Sequence, residues 1–177
     1  MTALVTEVVE ALGAMSVPTA LIGAAALALR GVPRSSDDTD LLVIGDDALT
    51  DAPWVHLSAS GTVVDVRRGD ANDPLAGVVR LVRGKEQVDV VALRGAPWQR
   101  ALLADARPMR FGDASLPVCT ARGLVLLKLY AGGYHDRQDV LALLAIHGAA
   151  LRAEIDDSID ALPSDSVALW HELRANA

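Results

Sequence analysis

The spacing of apolar positions switches between helical and strand-like along the chain, and each switch marks an element. Val8, Val9, Leu12 and Met15 recur at helical spacing, so Thr6–Met15 predicts an amphipathic helix that Pro18 ends. PTALIG then reads as a short strand running to Gly23, and GAAALALRG as an Ala/Leu-rich helix closed by Gly31. After a Val-Pro-Arg-Ser-Ser turn, DTDLLVIG predicts a second strand.

The middle of the chain is β-rich. TVVDVRR (Thr62–Arg68) has a strand pattern, and VVRLVR with EQVDVVAL reads as a hairpin turning at Gly84-Lys85. A helix is expected over Trp98–Ala106, then a short hairpin around Gly112-Asp113. Beyond Thr120, an N-cap residue, every segment is helical: ARGLVLLKLYAGG, HDRQDVLALLAIHG, LRAEIDDSIDAL and SDSVALWHELR. The pattern predicts an α/β (α+β) core over residues 1–118 and a C-terminal helical bundle over 119–177 packed on it. No repeat or long linker separates the two.

Composition narrows the class. The 177 residues are 51% hydrophobic but only 3% aromatic, so one core built from Ala, Val and Leu is expected. A net charge of −7 disfavours unguided binding to a phosphate backbone and leaves room for a local basic pocket. Cys119 is the only cysteine, which excludes an intrachain disulfide and a thiolate metal cluster; a buried hydrophobe is the expectation. His56, His147 and His171 lack ligand spacing, and Trp54, Trp98 and Trp170 are expected to cover core edges. No apolar run approaches ~18 residues, and MTALVTEVVEALG is amphipathic and acidic. A cytoplasmic protein without a membrane partner is expected.

The chemistry concentrates in RSSDDTDLLV. Alternation along a strand puts Asp38 and Asp40 on one face, with Asp37 and Thr39 on the other. Carboxylates that close repel, and burial makes the charged state costlier. A hard cation shared between them cancels the charge, and Mg²⁺ suits one or two carboxylates plus substrate phosphates. A lone Asp-x-Asp is also satisfied by solvent at a strand mouth. A third carboxylate changes the balance: Asp89 lies inside the apolar run of EQVDVVAL, where an unpaired charge is expensive. Asp65 is its rival, although Arg67 and Arg68 follow at once. Three carboxylates on two strands meet the need of two-metal phosphoryl chemistry, the third as ligand or general base. The strand–helix junction at Gly23-Ala24 offers backbone N–H groups to an anion, and small residues there also serve close packing.

These residues carry a resemblance. LIGAAALALRGVPRSSDDTDLLV resembles the signature of the nucleotidyltransferase superfamily, with Ile22, Gly23 and Ala24 matching its first part and Asp38 and Asp40 its acidic pair. Arg34 and Ser36 before the aspartates look like the AbiEii-type group, which includes toxins of toxin–antitoxin and abortive-infection systems. LKLYAGGYHDRQDV resembles that group's second motif through Lys128, Leu129, Ala131, Asp136 and Asp139.

The resemblance implies a mixed sheet flanked by helices and a Mg²⁺- or Mn²⁺-dependent transfer of a nucleotidyl group from an NTP to an acceptor hydroxyl. The acceptor stays open among an RNA end, a protein and a small molecule, and a cognate toxin or antitoxin protein is the implied partner. Asp38, Asp40 and Asp89 would hold metal and carry catalysis. Gly23, Ala24, Arg34, Ser36 and Lys128 would meet the nucleotide phosphates, with Asp136 orienting Lys128. Lys128 is one of only two lysines, Lys85 being the other; its ordinary alternative is a stem laid on apolar surface. Asp136 and Asp139 also fit helix capping. Ala24 stands where the family has Gly or Ser, Thr39 replaces a hydrophobic residue and His135 a basic one. The Ala24 departure supports the alternative, a binding module or antitoxin that keeps the fold without turnover.

Overall fold

The computed structural model describes residues 2–175. Its first helix, α1 (Ala3–Ala14), starts before the expected stripe because Thr2 caps it, the hydroxyl accepting the Val5 N–H at 3.4 Å. The buried stripe is Leu4, Val5, Val8 and Leu12; Met15 lies past the helix end and is 45% exposed. Strand β1 (Ala20–Ile22) runs directly into the short helix α2 (Gly23–Leu29), and β2 (Asp38–Ile44) follows the turn.

Between β2 and β3 the sequence pattern predicts no helix or strand. The residues there form two 3₁₀ turns and the short helix α3 (Val55–Ala59). This segment is held by tertiary burial: Trp54 is 1% exposed and its indole N–H donates to the Ala48 carbonyl at 2.8 Å. Trp170 is also fully enclosed, so Trp54 and Trp170 are core residues, while partly buried Trp98 meets Tyr130 edge to face at 5.0 Å.

Strands β3 (Val63–Arg68), β4 (Leu75–Arg83) and β5 (Glu86–Leu93) form a meander, and β6 (Arg107–Phe111) with β7 (Ala114–Val118) forms the second hairpin after helix α4 (Pro97–Ala104). Both hairpins turn at the expected glycines, Gly84 and Gly112, each with φ of 62°, a conformation that other residues adopt at a cost. The seven strands make one sheet in the order β3-β4-β5-β2-β1-β7-β6. β2–β5 and β1–β7 are parallel and the remaining neighbours antiparallel. In the central strand β2, Leu41, Leu42 and Val43 are all fully buried, as expected where both faces of a sheet are covered.

Helix α5 (Ala121–Ala131) is capped by Thr120, which accepts the Gly123 N–H, and is ended by Gly132 in a left-handed conformation. Helix α6 (Tyr134–Asp156) breaks at Gly148, between the two segments that the sequence separates, and α7 (Ser164–Ala175) ends the described chain. One hydrophobic cluster runs from Leu4 to Leu173, so these helices share the core of the sheet. Among the described residues no helix is long and apolar enough to cross a membrane.

Candidate active site

The sheet register builds the site. Parallel pairing sets Asp40 of β2 beside Asp89 of β5, and antiparallel pairing sets Ile22 of β1 on the other side of Asp40. Paired residues face the same way, and alternation adds Asp38 to that face. One oxygen from each of Asp38, Asp40 and Asp89 lies within 4.8 Å of the others. Thr39 is buried on the opposite face and Asp37 is exposed, so neither joins the cluster.

The same row continues outward. Arg80 of β4 pairs with Asp89, and Asp65 of β3 pairs with Arg80. Asp65 therefore shares the face but stands behind Arg80, and its carboxylate accepts from Arg67 at 2.8 Å. Arg80 grips Asp89 in a two-pronged pair, Nε at 2.9 Å and Nη2 at 2.7 Å, and the Gln87 amide adds a contact at 3.3 Å. Sequence reasoning missed Arg80, although a signal was present. A hairpin closed by Arg83 opposite Glu86 puts Arg80 opposite Asp89.

One guanidinium does not neutralise three carboxylates. Burial first, then the charges of Asp38 and Asp89, push Asp40 up to about 6, against smaller opposing pulls from Lys128 and Arg80. The donors are all hard oxygens, close together and short of positive charge. That set fits a divalent cation such as Mg²⁺ or Mn²⁺.

Gly23 meets the cluster from the opposite side. Its φ is +65°, and a Cβ built on it would lie 1.9 Å from Asp40 Oδ2. Only glycine allows the start of α2 to approach that carboxylate so closely. Ala24 follows it in the first turn of α2, partly exposed. The Ser36 hydroxyl donates to Asp38 Oδ1, so this side chain orients the acid directly.

The helices supply a second charged group. Lys128 Nζ of α5 lies 2.7 Å from Asp136 Oδ1 and 3.0 Å from Asp139 Oδ2. Asp136 also accepts the Gly133 N–H at 3.1 Å, so it caps α6 while pairing with Lys128. Asp139 does no capping. It is 2% exposed and forms a bridge, its other oxygen lying 3.5 Å from Arg34 Nη1. Arg34 thus reaches α6 and not the acidic cluster. The ion pairs outweigh burial and raise the Lys128 ammonium above its ordinary value, so it remains charged.

A cleft of about 430 Å³ opens between α5 and the sheet face, with Gly23, Asp40, Lys128 and Asp136 at one end. It joins the acidic cluster to the helical charge network. The remaining lining is mostly aliphatic, including Leu75, Val91 and Leu127.

No family model matches the chain, and no curated protein sequence matches it. Solved structures do. The chain is similar to the crystal structure of ANT(2'')-Ia in complex with adenylyl-2''-tobramycin, at 14% identity and a TM-score of 0.56, over 98% of this chain and 96% of that one. It is similar to the solution structure of the same antibiotic-resistance factor at a TM-score of 0.53 and 13% identity, over 98% and 90%. It also resembles lincomycin-bound LnuA, a lincosamide antibiotic adenylyltransferase, at 14% identity and a TM-score of 0.52, over 82% of this chain and 98% of that one. The mixed seven-stranded sheet with its C-terminal helices is therefore the nucleotidyltransferase fold.

Proposed function

We propose that the protein is a metal-dependent nucleotidyltransferase that moves a nucleotidyl group from an NTP to a hydroxyl of a small-molecule acceptor. The observation that carries the reading is the convergence of Asp38, Asp40 and Asp89 within 4.8 Å, beside a cleft that Asp40 lines. The acceptor class is supported by two solved structures, ANT(2'')-Ia with adenylyl-2''-tobramycin and LnuA with lincomycin. This chain spans 96% and 98% of their lengths, so it matches enzymes of that size almost end to end. The toxin–antitoxin role implied by the second motif is a narrower proposal, tested by co-purification with a partner protein.

In this reading Asp38, Asp40 and Asp89 hold the divalent cations. When bound, these neutralise triphosphate charge and ease ionisation of the attacking hydroxyl. Ser36 fixes the Asp38 carboxylate, and Arg80 with Gln87 fixes that of Asp89. Both Asp89 oxygens already accept hydrogen bonds, which suits a ligand better than a general base. Gly23 lets the α2 backbone approach Asp40. Lys128, kept in place by Asp136 and Asp139, presents its ammonium at the cleft end where phosphates would lie. Arg34 helps through Asp139 and not by direct contact with the acids. Ala24 is compatible with this scheme because main-chain donors, not its side chain, face an anion at a helix start.

The test is incubation of the purified protein with each α-labelled NTP, Mg²⁺ or Mn²⁺, and three acceptor pools: hydroxylated small molecules, total RNA and protein. Label is expected in the small-molecule pool and not with Asp40→Asn. Label confined to RNA or protein would overturn the acceptor class, and no label in any pool would overturn the enzymatic reading.

A further inference from the structure

The cleft beside Asp40 has a polar end and an aliphatic body, and the two make different demands on a ligand. The body is walled by Leu75, Val91 and Leu93 from the sheet and by Leu124 and Leu127 from α5. Its polar side chains are Asp40, Lys128, Tyr130 and Asp136, and each is engaged. Lys128 pairs with Asp136 and Asp139, and Asp136 also accepts the Gly133 N–H. The Tyr130 hydroxyl donates to the Pro74 carbonyl at 3.0 Å, while its ring packs edge-on against Trp98. Asp40 belongs to the acidic cluster. The main chains of β2 and β5 behind this wall are tied into their ladder.

A ligand whose phosphates meet Gly23, Asp40 and Lys128 projects its remaining bulk along the aliphatic body. Resting on the proposed activity, we propose that this body seats the nucleobase of the NTP and reads its size but not its hydrogen-bonding edge. Adenine and guanine differ only in edge groups, so the protein accepts both ATP and GTP. Pyrimidine nucleotides fill less of the apolar wall and bind more weakly. An aliphatic pocket separates ligands of one shape by at most about a hundredfold, whereas a site built to hydrogen-bond an edge separates them by roughly 10⁴-fold or more.

The experiment is titration of the protein, with Mn²⁺ present, by ATP, GTP, CTP, UTP and inorganic tripolyphosphate. ATP and GTP affinities are expected within about a hundredfold of each other, and both above CTP and UTP. A larger separation of ATP from GTP, or a pyrimidine nucleotide binding most tightly, overturns the inference. Leu127→Ala and Tyr130→Ala carry the second arm. Each should weaken ATP and GTP by a similar factor while leaving tripolyphosphate affinity in place. Unchanged ATP affinity in both variants overturns the inference by placing the base elsewhere. If neither the nucleotides nor tripolyphosphate bind in wild type, the parent reading falls first and takes this inference with it.

Discussion

The protein carries two groups of buried or half-buried carboxylates that handle charge in opposite ways. On the helices, Asp136 and Asp139 share Lys128 and Arg34, so two negative charges meet two positive ones within 3.5 Å. On the sheet, Asp38, Asp40 and Asp89 share Arg80 as their one directly paired cation among the described residues, which leaves negative charge in excess. The balanced group is a finished scaffold joining α5, α6 and the turn before β2. In the proposed function, the unbalanced group is a site whose charge is completed by a bound cation. Such an excess would repel a triphosphate, so the proposed reaction requires a cation to accompany the nucleotide.

The largest effect expected is from Asp40→Asn. Removing the central carboxylate should lower nucleotidyl transfer by at least about a thousandfold, the scale of losing a group that holds the catalytic ion. Mn²⁺ should raise the melting temperature of the wild type by mass action and leave that of the variant unmoved. The metal-free variant should melt no lower than wild type, because the substitution relieves repulsion. Asp40→Asn with an intact metal shift would end the contrast between the two groups.

Exchanging one cation in each group sharpens it. Lys128→Met leaves Asp139, 2% exposed, with only the more distant Arg34. Breaking a buried pair from one side costs about 3 kcal/mol or more, and added Mn²⁺ should recover none of it. Arg80→Met also strips a buried acid, Asp89, but there a bound cation can take over the lost charge. Its melting temperature should fall without metal and return most of the way when Mn²⁺ is added. No recovery of Arg80→Met by Mn²⁺ would show that both groups are structural, and recovery of Lys128→Met would end the contrast.

Gly23→Ala tests the approach of α2 to the cluster. The added Cβ meets Asp40 Oδ2, and φ of +65° is strained for alanine, at about 1–2 kcal/mol of stability. The same methyl displaces the Asp40 carboxylate from the acidic cluster. Metal affinity measured by Mn²⁺ titration should fall along with the melting temperature.

Much of this geometry was legible before the structure. Strand alternation put Asp38 and Asp40 on one face, and an acid inside VDVVAL had to be partnered, so Asp89 was already marked. Arg80 followed from hairpin register and was overlooked because register has to be counted across a turn. The rest depends on contacts between distant segments. The parallel pairing of β2 with β5 joins strands separated by a whole meander, and no local periodicity encodes it. Asp139 read as a helix-start acid because its partners, Arg34 and Lys128, come from two other elements. Trp54 read as a core edge since the 3₁₀ turns around it follow from burial and not from propensity.

The smallest effect is a drift of stability with pH produced by Asp40 in the unbalanced group. Asp40 is raised from 3.8 to about 6 in the folded protein. A carboxyl raised on folding favours the folded state below its unfolded value, and that contribution disappears as pH rises through the folded one. Metal-free protein should therefore lose stability between about pH 4 and pH 6, by an amount on the order of 1 kcal/mol once solvent screening at the cleft mouth is allowed for. Asp40→Asn removes the titrating group, so its melting temperature should be flatter across that window. Proton and cation compete for the same oxygens, so Mn²⁺ affinity should rise over the same interval and level off above it. A wild-type curve that rises with pH from 4 to 6 and is copied by Asp40→Asn would show that Asp40 does not set the pH dependence.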